Sequence, residues 1–261
     1  MRKGSLSTIL AIARNTFREA VRDRILYNLV LFVLLVTAAA IFLGELTAGQ
    51  EQRTIVNLGL SSMLLFGTFI SIFVGIGLVS KEIEKRTVFA IFAKPVARSH
   101  FIVGKYLGLC LTLLVNICVM GAGVTVAILY VGGGNLAWSI WGAIALIYLE
   151  LTTLTAVATV FSSFSTPALS ALLTFFVFII GHFSSSLREL AQSLGSPAAQ
   201  AVFNGIYYLL PNLSHFSFIT NASHGDFPSA AMLLTAFLYA AVYNAILLLI
   251  AMTIFKRRNF S

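Results

Sequence analysis

The sequence predicts an all-α integral membrane protein, a single domain over residues 1–261 that crosses the bilayer six times. Three observations predict it. Apolar residues make up 59% of the chain and charged residues 10%, mean hydropathy is +0.95, and five long windows contain no Asp, Glu, Lys or Arg. A soluble domain carries about 25% charge, so a water-exposed globule, a disordered chain and a secreted disulfide scaffold are all excluded. Cys110 and Cys118 sit eight residues apart in one apolar run. On a helix that is about 12 Å along the axis, too far for a bridge within the chain. The net charge of +8 suits anionic headgroups or an acidic cytoplasmic partner.

Residues 1–25 open the chain as an amphipathic helix lying in the membrane interface. Ile9, Ile12, Ala13, Phe17 and Val21 fall on one side at helical spacing, and Arg14, Arg18 and Arg22 form a basic stripe suited to a phosphate surface. The alternative is an ordinary basic flank to the first span. Residues 25–44, 54–80, 106–149, 151–187 and 227–255 contain no Asp, Glu, Lys or Arg, and each range is long enough for a membrane helix of about 20 residues. The third is too long for one helix, and Gly132-Gly133-Gly134-Asn135 breaks it. The run through Glu150 ends at Ser162-Ser163-Phe164-Ser165-Thr166-Pro167, a cap followed by proline at a first helical turn. The expected spans are therefore about 26–44, 58–80, 106–131, 138–161, 167–183 and 230–255.

The distribution of cations sets the orientation. Arg2, Lys3, Arg14, Arg18, Arg22 and Arg24 precede the first span, while Lys81, Lys85, Arg86, Lys94, Arg98 and Lys105 lie between the second and third. Lys256, Arg257 and Arg258 follow the last, so fifteen of seventeen cations fall on one side. Only Arg53 and Arg188 are left for the other side, which puts both termini in the cytoplasm. A charged start of 24 residues is too long for a cleavable signal peptide. The two long connections differ in kind, one basic and one nearly neutral, which argues against the inverted repeats of a secondary transporter.

The external connection, residues 184–229, reads as a short helix over 187–194, a break at Gly195-Ser196-Pro197 and an apolar helix to Leu210. Phe203, Tyr207, Tyr208, Phe216 and Phe218 suit an interfacial position there. The cytoplasmic connection, residues 81–105, carries a short helix from about Glu82 to Ala93, ending before Pro95. Val88, Ile91 and Phe92 on so charged a loop suggest a plug for a groove in another protein. The alternative is a basic loop lying on the headgroups.

This loop resembles that of ABC-2 type transporter permeases, with Glu82, Thr87, Pro95, Arg98, Gly104 and Lys105 at matching positions. The likeness covers the whole chain. The Tyr207-Tyr208-Leu209-Leu210-Pro211-Asn212-Leu213 run and the Phe255-Lys256-Arg257-Arg258-Asn259-Phe260 ending resemble the NosY-like branch. The resemblance implies a permease subunit of an ATP-driven exporter in a bacterial or archaeal cytoplasmic membrane. It implies two partners, a separate ATP-binding cassette subunit and a second permease, identical or paralogous; nucleic acid is not one. The loop is then the coupling helix, with Glu82, Glu84, Arg86, Thr87, Val88, Phe89, Ile91, Phe92, Pro95 and Arg98 as the set that meets the ATPase. No cofactor is expected on this chain, and ATP and Mg would sit on the partner. In agreement, the sequence holds no Gly-x-x-x-x-Gly-Lys-Ser/Thr phosphate loop, since Gly104-Lys105 runs into Tyr106.

Polar residues at membrane depth complete the reading. Glu150 falls mid-span, where a charged side chain costs roughly 2.5–3.5 kcal/mol, and so marks a substrate path, a dimer seam or a bond to a neighbouring helix. Gly67, Ser71 and Gly75 make a small-residue ridge at every fourth position, for packing within the subunit or between two subunits. Gly121 with Thr125, and Gly123 with Ala127, make a weaker one. His182, His215 and His224 lack ligand spacing. An intramembrane enzyme is disfavoured because Glu150 and His182 are expected on different spans at different depths. A membrane scaffold that recruits a partner through the basic loop is the other alternative.

Overall fold

The computed structural model describes residues 2–22, 24–46, 49–84, 98–184, 186–187, 189 and 197–257, and every regular element among them is helical. The α-helices are α1 (Arg2–Val21), α2 (Arg24–Leu46), α3 (Glu51–Glu84), α4 (Arg98–Tyr130), α5 (Gly134–Ser162) and α6 (Pro167–His182). After them come α7 (Pro197–Leu209), a 3-10 turn (Leu213–Phe216), α8 (Ile219–Ser223) and α9 (Ala230–Arg257).

Among the described residues four stretches are long and apolar enough to cross a membrane: Glu51–Gly77 in α3, Ser99–Tyr130 in α4, Gly134–Ser162, and Ala230–Lys256 in α9. Shorter apolar stretches, Val30–Gly44 in α2 and Pro167–His182, stand where the first and fifth spans are expected. The 16 residues of α6 reach about 24 Å, less than the ~30 Å hydrocarbon core.

The helices on either side of residues 85–97 overrun the expected spans. α3 starts at Glu51 rather than near 58 and continues to Glu84, and α4 starts at Arg98 rather than near 106. Charge marks where a helix leaves the hydrocarbon, but the backbone ladder continues until something interrupts it. α4 begins at Arg98, three residues after Pro95 in the sequence. The first residues of the expected loop helix, Glu82 to Glu84, thus belong to α3, and residues 85–97 lie outside the described residues.

α5 is the central element, packed against α3, α4, α6 and α9. Most of its apolar side chains are buried, among them Ile140, Leu146, Leu151, Leu154 and Ala158, while Trp138 near its start is exposed. The α4–α5 turn closes as a Schellman motif. Gly132 N–H donates to Leu129 O at 3.1 Å and Gly133 N–H to Ile128 O at 2.9 Å, with Gly132 at φ +80°. That conformation is open to glycine at little cost, which explains the break in the long apolar window. The α5–α6 turn follows the sequence expectation, with Thr166 at the N-cap and Pro167 in the first helical turn. Ser165 and Ser170 hydroxyls meet across it at 2.6 Å.

Asn212 organises the segment between α6 and α9. Its Oδ1 accepts from Ser184 Oγ at 2.8 Å, Ser214 Oγ at 2.6 Å and Ser214 N–H at 3.1 Å, while its own N–H donates to Tyr239 Oη at 2.8 Å. One residue, through its side chain and its backbone N–H, thus ties the residues after α6, the 3-10 turn and α9. Phe216 corrects the expectation of an interfacial aromatic: it is 1% exposed, with its ring centroid 6.0 Å from that of Tyr239. The turn that Asn212 caps rotates it inward. Asn212→Ala removes the cap, worth about 0.5–2 kcal/mol. Hydrogen exchange is expected to quicken over residues 212–218 while α5 is unchanged; equal protection in both proteins would refute the role.

Exposed leucines and phenylalanines line the outer faces of α2, α4, α6 and α9, including Phe42, Val126, Leu172, Phe176, Phe237, Val242 and Leu249. With lipid as solvent such faces need no protein cover.

Candidate functional site

The polar residues of the interior gather around α5. Glu150 is 1% exposed, and His182 Nδ1, at the end of α6, lies 3.2 Å from its Oε1. The separation suits an ion pair, but it falls outside hydrogen-bond alignment, so neither atom gains a well-directed bond. This overturns the expectation of different depths. Glu150 stands twelve residues before the end of α5 and His182 fifteen residues into α6. At 1.5 Å per residue those are heights of roughly 18 and 22 Å above a shared turn. Two antiparallel helices leaving one tight turn bring equal residue counts level.

The pair lies close to the segment between α6 and α9. Gly181 permits this, because a Cβ there would come within 2.7 Å of Pro211 O and 2.8 Å of Leu213 Cγ. An aromatic file leads to it from α2 across α3 to α6. Its ring-centroid steps are 4.9 Å from Phe32 to Phe66, 6.4 Å to Phe69, 6.3 Å to Phe175, 6.3 Å to Phe178 and 5.4 Å to His182. Sequence reasoning missed this file. Its only trace is the i, i+3 spacing of Phe66 with Phe69 and of Phe175 with Phe178.

On another face of α5, Tyr106 Oη donates to Thr152 O at 3.2 Å and Asn244 Nδ2 to Thr152 Oγ1 at 3.4 Å. One residue of α5 thereby joins α4 and α9. The threonine hydroxyls of α5 are satisfied locally, Thr153 by Leu149 O at 3.1 Å, Thr155 by Leu151 O at 2.9 Å and Thr159 by Thr155 O at 2.7 Å. Thr68 Oγ1, Ser71 Oγ, Asn116 Nδ2 and Asn244 Oδ1 are buried without a hydrogen-bond partner in this arrangement. A bundle with such atoms at its seams has bonds to gain when its helices shift.

Gly67, Ser71 and Gly75 face α5 of the same chain. A Cβ on Gly67 would come within 2.5 Å of Leu151 Cδ1, and one on Gly75 within 2.7 Å of Ala158 Cβ. At these two glycines the ridge seats α3 on α5 within the subunit.

Of the expected ATPase-facing set, Arg86, Thr87, Val88, Phe89, Ile91, Phe92 and Pro95 lie outside the described residues. Glu82 and Glu84 fall in the last turn of α3, and Arg98 opens α4. α3 and α4 pack on each other, so the segment between them leaves from, and returns to, two joined helices. The start of α4 is braced on both sides. Gly104 and Gly108 admit α1, where a Cβ would fall 2.9 Å from Ile9 O and 2.5 Å from Ala13 O respectively. On another side Phe101 stacks with Phe255 of α9 at 6.4 Å. Lys105 is buried here, its Nζ 5.0 Å from the Phe101 ring centroid. These glycines explain in packing terms why Gly104 matters at its matching position.

No curated protein matches the chain. The sequence model of the family described as ABC-2 family transporter protein, however, matches residues 10–260. That match spans the described bundle from the brace of α1 on α4 to the end of α9, and the chain belongs to the ABC-2 family of transporter proteins.

Proposed function

We propose that this membrane permease is the six-span subunit of an ATP-driven exporter in a bacterial or archaeal cytoplasmic membrane, with both termini in the cytoplasm. It pairs with a second permease subunit and with a separate ATP-binding cassette subunit that holds ATP and Mg. The observation that carries this reading is that the chain between α3 and α4, two helices that pack on each other, has a sequence in which Phe89 and Phe92 stand among Lys85, Arg86, Lys94 and Arg98. Apolar anchors ringed by charge are the composition of a protein-docking knuckle. Six spans follow if α2 and α6 cross with their shorter apolar stretches. The Tyr207–Leu213 run and the basic ending support membership of the NosY-like branch.

Closure of the ATPase pair moves the knuckle, and α3 and α4 carry that motion as rigid bodies into the bundle. The α5 seams re-pair as the helices shift, so ATP binding biases two packings of similar energy. The test is co-purification with the ATPase encoded beside this chain. Wild-type protein is expected to form a detergent-stable complex whose ATP hydrolysis depends on the permease. Phe89→Asp, which buries a carboxylate in the docking groove, is expected to lose both complex and activity while the permease remains monodisperse. A wild-type chain that purifies without the ATPase under every nucleotide condition would reject this reading.

A further inference from the structure

We infer that α1 is a binding site for anionic phospholipid, in which Arg14, Arg18 and Arg22 hold headgroup phosphates while the helix is clamped to the start of α4. The structure divides the surface of α1 into three adjoining strips. Ile9, Ile12, Ala13, Thr16 and Ala20 turn toward α4 and are buried or partly covered, with Gly104 and Gly108 drawing the two backbones together. At 100° per residue the next strip holds Leu6, Leu10, Phe17 and Val21. Leu6 and Leu10 are 66% and 65% exposed. The third strip holds Arg14 and Arg18, and Arg22 continues it in the turn just past the helix, all three exposed. An apolar strip that borders a basic one, on a helix fixed to a membrane bundle, matches the two parts of a phospholipid in order, acyl chain then phosphate.

Charge complementarity selects the headgroup. The only acidic residue of α1 is Glu19, which lies on the other border of the α4-facing strip, away from Leu6 and Leu10. Three guanidiniums one turn apart repel one another in water, and the phosphates of an anionic surface relieve that repulsion. The clamp makes the site more than a basic flank. Because α1 lies backbone-close on Gly104 and Gly108, a lipid held by the stripe restrains the first turns of α4, next to residues 85–97. The lipid site itself rests only on the chain being a membrane protein and stands apart from the ATPase reading.

The test uses the full chain in nanodiscs containing phosphatidylcholine and phosphatidylglycerol, transferred to mild detergent and weighed by native mass spectrometry. The wild type is expected to retain phosphatidylglycerol over phosphatidylcholine by roughly 100-fold at low salt, on the scale of three cations at an anionic surface, and less as salt rises. Arg14→Gln, Arg18→Gln and Arg22→Gln together are expected to lose that preference without changing the unfolding temperature, since all three side chains are exposed. Glu19→Gln is expected to keep it. A wild type without preference, or a triple variant that keeps it, overturns the site. A triple variant that keeps its lipid yet sheds the ATPase overturns it too, and assigns the stripe to the protein partner.

Discussion

His182→Leu alone is expected to destabilise the bundle more than His182→Leu combined with Glu150→Leu. In the native chain the imidazole is the polar neighbour of a carboxyl group that is 1% exposed. Removing it leaves the buried Oε1 without that neighbour. If the carboxyl stays ionised the cost is about 3–5 kcal/mol, and if it takes up a proton the loss falls to roughly 1–3 kcal/mol. Converting both residues to leucine removes the polar atoms together, and a buried pair exchanged for apolar side chains is often neutral or stabilising. The measurement is thermal unfolding of the purified chain in one detergent for wild type, both single variants and the double variant. A double variant that melts lower than either single one would contradict the pairing, because the two losses would then be independent. Transport-coupled ATP hydrolysis separates structure from function. A double variant that is stable yet uncoupled assigns the pair to the transport cycle, and one that is stable and coupled assigns it to packing alone.

The class of the protein, its main helices and its turns were legible in the sequence because bilayer and backbone impose them directly. A charge-free window must span or be buried. Gly132 must provide the positive φ that ends α4, and Pro167 must open α6. Gly67, Ser71 and Gly75 were legible as a close-packing ridge, though not as to which helix they meet. Neighbours were harder to read, for a physical reason. In a soluble protein the polar face of each helix points away from the core, whereas in lipid both faces are apolar and the pattern no longer says which one is inside. The aromatic file from Phe32 to Phe178 and the burial of Phe216 were lost in this way. Glu150 and His182 were a different case, since counting residues outward from the turn at 163–166 places them level. Assigning each to the middle or the end of its own span, with α6 treated as full length, concealed that. The apolar residues of 85–97 were the most informative part of the sequence, because Val88, Phe89, Ile91 and Phe92 stand in a run otherwise rich in charge.

Gly75→Ala is expected to lower stability more than Gly67→Ala, although the two glycines lie two helical turns apart on one ridge. The difference lies in what each new methyl group meets on α5. At Gly67 the contact is the end of the Leu151 side chain, 2.5 Å from the added Cβ, and a leucine can change rotamer. At Gly75 the contact is Ala158 Cβ at 2.7 Å, with Thr155 O at 3.4 Å. Neither atom can move without the backbone of α5. Forcing the helices apart at Gly75 costs about 1–3 kcal/mol by overpacking, whereas at Gly67 the strain is partly offset by the gain of up to about 1 kcal/mol that alanine brings to a helix. Gly205→Ala in α7, where nothing lies within 4 Å of the added atom, supplies the helix term alone. The three melting temperatures should therefore rank Gly205→Ala above Gly67→Ala above Gly75→Ala. A reversal of the last two would mean that α3 and α5 touch in a different register. Since Glu150 is carried on α5, the same separation at Gly75 should also weaken its pairing with His182, so Gly75→Ala and His182→Leu are expected to lose less together than the sum of their separate losses.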